Sequence, residues 1–249
     1  MSQIPESFAA IVVDRPEGRY QAEFRDLTVA ELPDQGDVLV RVQYSTINYK
    51  DALAVTGKGR IARTFPIVPG IDLAGEVVES SVTEFKPGDQ VLVTGCEIGE
   101  VHWGGFSQYA RMNSKWLVPI PQGLDARSAM GIGTAGFTAM LAVMALEHHG
   151  IDKRGEVVVT GAAGGVGSIA LALLAKAGFE QILASTGRPE EEPYLRNLGA
   201  TGIIARSELD QPANPRESHR WSGAVDVVGG QPLSKRISQL QCGGATRVW

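Results

Sequence analysis

The pattern of apolar and polar residues changes character near residue 130. Before that point the apolar runs are short and are separated by Pro, Gly and Asp. They include residues 8–13 (FAAIVV), 37–47 (DVLVRVQYSTI), 74–80 (AGEVVES) and 89–95 (DQVLVTG). Short runs with turn residues between them are typical of β-strands. The pattern therefore predicts a mostly-β domain over residues 1–130.

After residue 130, apolar stretches of helical length alternate with β-branched runs. Helices are predicted at residues 134–146, 164–178, 190–200 and 233–240, and strands at residues 156–161, 181–186, 202–205 and 223–230. Alternation of strand and helix is the pattern of a parallel sheet covered by helices. We therefore expect an α/β protein, with a mostly-β domain followed by a doubly wound parallel sheet over residues 131–249.

Several glycines follow the first predicted strand of this second domain. The segment 158–171 reads VVTGAAGGVGSIAL, with Ala162 in place of the first glycine of a G-x-G-x-x-G pattern. Glycines at a strand-to-helix turn allow a tight turn and let a diphosphate approach the amides at the helix start, where the helix dipole favours negative charge. The alternative is a turn that only permits close helix–strand packing. The strand before it, the helix after it and a second strand about 20 residues on favour a dinucleotide site.

The end of the second predicted strand indicates which dinucleotide binds. An Asp or Glu there would accept hydrogen bonds from a ribose 2′-hydroxyl and favour NAD. The strand ends instead in Ser185-Thr186-Gly187-Arg188, and Arg206 follows the third strand. Guanidinium groups suit a 2′-phosphate, although either arginine could equally be an ordinary surface residue. Together they favour NADPH.

Composition and charge narrow the class of protein. The 249 residues are 43% apolar and 20% charged, the formal charge is −5, and the cations are scattered. Disorder and nucleic-acid binding are therefore disfavoured. Cys96 and Cys242 are too few for a disulfide framework, and we find no leader pattern and no unbroken apolar stretch of spanning length. We expect a soluble, cytoplasmic protein without a membrane partner.

Five segments together resemble a known family over nearly the whole chain. They are residues 48–59 (NYKDALAVTGKG), 66–75 (PIVPGIDLAG), 102–105 (HWGG), 131–141 (GIGTAGFTAML) and 159–167 (VTGAAGGVG). The chain is similar to the zinc-free medium-chain dehydrogenase/reductases, and within them to the acrylyl-CoA reductase, or quinone oxidoreductase-like, group. The resemblance implies a GroES-like catalytic domain, a Rossmann domain for NADPH, and reduction of the activated C=C bond of acryloyl-CoA to propanoyl-CoA. It also implies a homodimer for full-length members of the group, and leaves the oligomeric state of this chain open.

The resemblance carries cofactor contacts over to particular residues. These are Tyr49, the segment Ala163, Gly164, Gly165 and Val166, the segment Thr186, Gly187 and Arg188, and Arg206. Among the candidate catalytic residues, Tyr49 could hydrogen-bond or relay a proton near the reacting carbons, or could be a packing wall for the cofactor. Asp51 could support Tyr49 or could be a structural acceptor for backbone amides.

Zinc is not expected. The positions of the catalytic Cys and His-Glu of metal-dependent relatives hold Asn48-Tyr49-Lys50-Asp51 and Gly70-Ile71-Asp72, and the four histidines show no spacing that suits a tetrahedral site. Reduction must then depend on orientation and electrostatic stabilisation.

The end of the sequence leads to a further expectation. Family members run on past the position of Trp249. We therefore expect the second domain to lack its last strand or strands, and the catalytic domain to lack its return segment.

Two alternative functions stay open: a reductase of quinones or other enones, and a catalytically silent NADPH-binding protein.

Overall fold

The computed structural model describes residues 4–212 and 219–248, and the chain forms two compact units. Unit 1 is Met1–Thr134 and unit 2 is Ala135–Trp249. The boundary at residue 130 drawn from the sequence lies four residues before this division. Each unit has its own buried apolar core.

Unit 1 is built mainly from antiparallel strands. β1 (Phe8–Asp14) and β2 (Gln21–Leu27) form a hairpin. A five-stranded sheet in the order β6-β3-β4-β5-β7 comprises β3 (Val38–Tyr44), β4 (Asp72–Ser80), β5 (Gln90–Thr94), β6 (Tyr109–Met112) and β7 (Val118–Pro119). Apolar side chains of alternating residues, such as Val38, Val40, Val91 and Val93, are buried on one face of this sheet.

A short helix, α1 (Tyr49–Thr56), follows β3 and was not predicted from the sequence. Its first turn is closed by a capping box between Asn48 and Asp51, and Gly57 ends it in the left-handed conformation (φ 66°). Ala54 anchors the helix in a small apolar cluster. Residue 49 therefore lies at the exposed start of a helix that is fixed at both ends.

The longest helix, α2 (Ala126–His149), is bent at Gly133 (φ 48°, ψ −161°) and ends in His148 and His149. By length and composition it could cross a membrane, a property that core helices of soluble proteins share. Ala139, Ala142, Val143 and Leu146 are buried in the core of unit 2. These contacts favour a core helix.

Unit 2 contains a five-stranded parallel sheet in the order β10-β9-β8-β11-β12. Its strands are β8 (Glu156–Val159), β9 (Gln181–Thr186), β10 (Gly202–Ala205), β11 (Trp221–Asp226) and β12 (Leu240–Val248), and its further helices are α3 (Gly165–Lys176), α4 (Glu192–Asn197), α5 (Arg206–Leu209) and α6 (Gly230–Ser238). The strand order reverses between β8 and β11, and in open α/β sheets ligands bind outside the carboxyl ends of the strands at that point. The predicted fold class is confirmed.

The strand predicted over residues 223–230 is displaced in the structure. β11 starts two residues earlier, at Trp221, and ends at Asp226. The early end is explained by the side chain of Asp226, whose Oδ1 accepts hydrogen bonds from the amides of Val228 (2.8 Å) and Gly229 (3.2 Å). An Asp that bonds to following amides turns the backbone out of the extended conformation.

Candidate nucleotide-binding site

The glycines after β8 have separate roles in the turn. Gly161 has a φ of 55°, in the left-handed region that favours glycine. A Cβ on Gly167 would clash with the Gly161 carbonyl oxygen and lie 2.7 Å from the Ala162 Cα, so Gly167 allows α3 to pack against the turn. The working pattern is therefore Gly161-x-x-Gly164-x-x-Gly167, with Gly161 and not Ala162 making the tight turn.

Gly164 leaves the start of α3 open. It is the N-cap of α3, and a Cβ there would meet only the Gly161 carbonyl oxygen within 4 Å, at 3.1 Å. A cavity of about 390 Å³ lies beside it, lined in part by Thr160, Gly161, Ala163 and Gly164. The first amides of a helix have no intrahelical acceptors and attract anions. The residues present thus fit the diphosphate of a dinucleotide.

The end of β9 forms the next part of the wall. The buried Thr186 accepts a hydrogen bond at Oγ1 from the Arg188 amide (3.0 Å), which turns the chain at Gly187. Arg188 Nη2 donates to the Ala163 carbonyl (3.2 Å), and Nη1 lies 3.1 Å from Glu191 Oε1. The Arg188 side chain is 55% exposed, so its guanidinium is placed at the cavity and stays accessible.

Arg206 lines the same cavity from the start of α5. An ideal Cβ on Gly187 would be 3.6 Å from the Arg206 Cδ, so the arginine lies directly against this glycine. Its Nε is 3.6 Å from Asp210 Oδ2, a weak exposed ion pair. Two arginines therefore lie at the position where a carboxylate would select NAD.

A buried ion pair forms part of the cavity and was missed by the sequence reasoning. Arg236 of α6 lines the cavity, pairs with Asp226 Oδ2, and neither side chain is exposed. Asp226 Oδ1 also accepts from Thr160 Oγ1 (2.7 Å). Burial by itself would raise the pKa of Asp226, but hydrogen bonds from Val228 and Thr160 and the charge of Arg236 outweigh it and hold that pKa below its ordinary value. The pair thus fixes the loop after β11.

Six of the predicted cofactor residues line this one cavity. They are Ala163, Gly164, Thr186, Gly187, Arg188 and Arg206. Gly165 and Val166 form the first turn of α3 directly beside it. Tyr49 and Asp51 belong to unit 1, so they form a separate candidate group.

Tyr49 and Asp51 have opposite environments. Tyr49 is 82% exposed at the start of α1, with its phenol in solvent. Asp51 is buried, and its Oδ2 and Oδ1 accept from the amides of Asn48 (2.8 Å) and Ile71 (3.0 Å). Burial is the largest influence and raises the pKa of Asp51 in spite of these bonds. Both carboxylate oxygens are engaged by backbone amides, which favours the structural alternative for Asp51.

Asp72, at the start of β4, organises the segment that leads into α1. Its Oδ2 accepts from Thr46 Oγ1 (2.8 Å), Asn48 Nδ2 (2.8 Å) and the Thr134 amide (3.1 Å), and its Oδ1 accepts from Thr134 Oγ1 (2.6 Å). The carboxylate is fully buried. Asn48 is thereby fixed from both sides, by Asp72 and by Asp51, and Tyr49 follows it directly.

The described residues, 4–212 and 219–248, hold no group of three or more His, Cys, Asp or Glu side chains arranged to bind a metal ion. His102 is buried, its Nε2 lies 2.7 Å from the Arg111 carbonyl oxygen, and its ring meets Trp116 edge-on. His102 thus has a packing environment. Burial lowers its pKa in spite of the bond to Arg111.

Comparison with known proteins places the chain in a family. Residues 34–122 match the model of the alcohol dehydrogenase GroES-like domain. Over 242 residues the chain is 53% identical to acrylyl-CoA reductase AcuI of Ruegeria pomeroyi. The aligned region covers 96% of this chain and 73% of that protein.

Two solved structures are similar over most of the chain. The yhdH oxidoreductase of Salmonella enterica, in complex with NADP, is 49% identical, with a TM-score of 0.92 over 96% of this chain and 74% of that one. The Bacillus subtilis protein yhfP, with NAD bound, is 41% identical, with a TM-score of 0.92 over 98% and 74% of the two chains. The chain belongs to the medium-chain dehydrogenase/reductase family, in the group of acrylyl-CoA reductases and quinone oxidoreductase-like proteins.

Proposed function

We propose that this protein is an NADPH-dependent reductase of the activated C=C bond of acryloyl-CoA. The observation that carries the proposal is the cavity of unit 2, in which the open start of α3 lies beside Arg188 and Arg206. The similarity to an acrylyl-CoA reductase at 53% identity supports the substrate. In this proposal the substrate is a small molecule, and the enzyme is soluble and works in the cytoplasm.

The residues of unit 2 would hold NADPH in distinct ways. Amides at Gly165 and Val166 would bind the diphosphate, since they begin α3. Arg188 and Arg206 would bind the 2′-phosphate, because a guanidinium forms charge-assisted, forked hydrogen bonds with phosphate oxygens. When bound, NADPH supplies a hydride to the β-carbon of acryloyl-CoA and leaves as NADP⁺, while the α-carbon gains a proton to give propanoyl-CoA.

The residues of unit 1 would orient the substrate and handle the proton. Among these residues of unit 1, Tyr49 has an exposed phenol. The phenol can donate a hydrogen bond to a carbonyl oxygen or exchange a proton with solvent. Asn48, Asp51 and Asp72 act on Tyr49 by fixing the start of α1. We assign Tyr49 to the reaction and these three residues to positioning. This scheme needs no metal ion, because the reaction is accelerated by orientation of the substrate and by electrostatic stabilisation of the transition state.

Relatives have been solved with either dinucleotide, the Salmonella enterica yhdH oxidoreductase with NADP and yhfP with NAD. The absence of a carboxylate at Ser185–Arg188, and the presence of Arg188 and Arg206, are what favour NADPH in this chain.

The test is loss of nicotinamide absorbance with acryloyl-CoA as the acceptor. We expect turnover with NADPH, and a higher kcat/KM for acryloyl-CoA than for a simple quinone. A higher kcat/KM for the quinone would instead support the enone and quinone reductase. Binding of NADPH without consumption by any acceptor would support a silent NADPH-binding protein.

A Tyr49→Phe variant separates the two roles of this residue. If the phenol takes part in the reaction, kcat falls while the dissociation constant of NADPH is unchanged. If Tyr49 is only a packing wall, Tyr49→Phe retains kcat and Tyr49→Ala weakens cofactor binding.

A further inference from the structure

Unit 1 contains a second cavity with three arginines, apart from the residues assigned above. It has a volume of about 430 Å³ and is lined by Arg15, Arg60 and Arg63 together with Tyr20, Gly57 and Phe65. This volume lies within the range of small-molecule sites. The three guanidinium groups come from two separate segments of the chain, the loop after β1 and the loop after α1.

The charges of these arginines are not equally balanced. Arg63 Nη2 lies 3.0 Å from both Glu97 and Glu100, and Glu100 also pairs with Lys50 at 2.8 Å. Within residues 4–212 and 219–248, the guanidinium groups of Arg15 and Arg60 make no ion pair, although the Arg15 backbone amide donates to Asp14 Oδ1 (2.7 Å). Arg15 Nε donates only to the Gly18 carbonyl, at 3.3 Å. Two cations at this cavity are therefore available to an anion.

The floor of the cavity is aromatic and closely packed. Tyr20 and Phe65 meet edge to face, with ring centroids 5.3 Å apart, and the Arg15 guanidinium lies over the Tyr20 ring at 5.4 Å. Gly57 touches Tyr20 so closely that a Cβ would be 2.5 Å from the ring. Aromatic and guanidinium planes of this kind accept a stacked nucleobase.

The cavity lies at the far end of the helix that carries Tyr49. Tyr49 begins α1, and Gly57 follows its last residue. At 1.5 Å per residue the two ends are about 12 Å apart. A coenzyme A thioester also has two ends, a reacting acyl group and a phosphorylated adenosine, joined by a long pantetheine arm.

We propose that the Arg15–Arg60–Arg63 cavity binds the phosphorylated adenosine end of the coenzyme A substrate. This inference rests on the proposed function, because the thioester gives the cavity its ligand. Arg15 and Arg60 bind the phosphates, the adenine lies against the edge of the Tyr20–Phe65 pair, and Arg63, neutralised by Glu97 and Glu100, holds the loop after α1 in place.

Titration of coenzyme A alone into the full chain tests the proposal. We expect Arg15→Gln and Arg60→Gln each to raise the dissociation constant of coenzyme A by about fivefold, the effect of one exposed charge-assisted contact. Pantetheine, which lacks the nucleotide, should bind equally to all variants. Arg19→Gln is the matched control, because Arg19 is exposed on the same segment and does not line the cavity.

The other arms identify the ligand and its site. Adenosine 3′,5′-bisphosphate should compete with coenzyme A. If inorganic phosphate competes equally well at a similar concentration, the cavity is a simple anion site and the nucleotide assignment is overturned. Arg206→Gln should leave coenzyme A binding unchanged, and a large loss there would move the site to unit 2.

Kinetics distinguish failure of this inference from failure of the proposed function. With acryloyl-CoA, Arg60→Gln should raise KM about fivefold without changing kcat, and with acryloyl-pantetheine it should change neither. Unchanged coenzyme A binding in both arginine variants would overturn the inference even if acryloyl-CoA is reduced. Coenzyme A binding that depends on Arg15 and Arg60, without any reduction, would support the cavity and refute the reductase.

Discussion

The buried pair of Asp226 and Arg236 gives a sharp test of how the nucleotide cavity is held together. Arg236→Met removes the guanidinium but keeps most of the side-chain volume. Asp226 then remains fully buried, with Oδ1 still bound to Thr160 and Val228 and no opposite charge at Oδ2. Removing one partner of a buried ion pair costs about 3–5 kcal/mol, so the free energy of unfolding should fall by about that amount.

The double variant Asp226→Asn/Arg236→Met supplies the control. It removes both charges and keeps an oxygen at residue 226 that can accept from Thr160 and Val228. Replacing a buried pair by uncharged groups is often close to neutral, so the double variant should be more stable than Arg236→Met alone. Urea unfolding followed by far-ultraviolet circular dichroism measures all of these free energies.

The pH dependence follows from the low pKa of Asp226. A carboxylate whose pKa is lower in the folded than in the unfolded state stabilises fully above its unfolded pKa of about 3.9, and this is lost as the pH falls through the folded value. Loss of Arg236 raises the pKa of Asp226 in the folded state. Protonation of Asp226 then removes its unpaired buried charge and stabilises the variant. The difference in stability between wild type and Arg236→Met should shrink from pH 7 towards pH 4. A constant difference, or a double variant less stable than Arg236→Met, would refute the reasoning.

Two further predictions concern packing and burial in each unit. Gly167→Ala should lower the free energy of unfolding by about 1–3 kcal/mol and weaken NADPH binding, because the new Cβ would overlap the turn at Gly161. Urea unfolding and NADPH titration measure the two effects. Gly131→Ala is the control, because the space around Gly131 is open. His102 has a pKa lowered by burial, so the stability it contributes is complete above pH 6.5 and is lost as the pH falls below that value. In urea titrations at pH 7 and pH 5, His102→Gln should therefore lose less stability on acidification than wild type, and an equal loss would contradict a neutral buried His102.

The parallel sheet of unit 2 could be predicted because its signals are local. The strands β8, β9 and β10 are short apolar runs that contain β-branched residues, and α2 and α3 have apolar residues at helical spacing. The strand β2 was missed because its sequence, QAEFRDL, is mostly polar and its side chains are largely exposed. Its pairing partner β1, which is apolar, was found.

The helix α1 could have been found from its ends. Asn48 and Asp51 have the spacing of a capping box, and Gly57 occupies the position after the last residue. The eight residues between them carry little apolar periodicity, which is why the pattern did not indicate a helix. The cap residues at both ends, rather than apolar periodicity, indicate that Tyr49 begins a helix.

The nucleotide cavity was predicted in part. Thr186 ends a strand of the parallel sheet, and the other predicted residues of the cavity follow strands, so their meeting at one edge could be inferred from the order of elements. These residues are Ala163, Gly164, Gly187, Arg188 and Arg206. Arg236 could not be, because nothing in the segment LSKRISQL distinguishes a buried arginine from an exposed one. Its partner Asp226 lies on a strand, and only the packing of α6 on the sheet brings the two together.

The open start of α3, together with Arg188 and Arg206, is the site to which we assign NADPH. The most direct measurement is a titration of NADPH and of NADH into wild type and into Arg188→Gln/Arg206→Gln. We predict that wild type binds NADPH more tightly than NADH by about tenfold or more, and that the double variant loses this preference while its affinity for NADH is unchanged. Equal affinities in wild type, or a preference for NADPH that survives the loss of both arginines, would contradict the account.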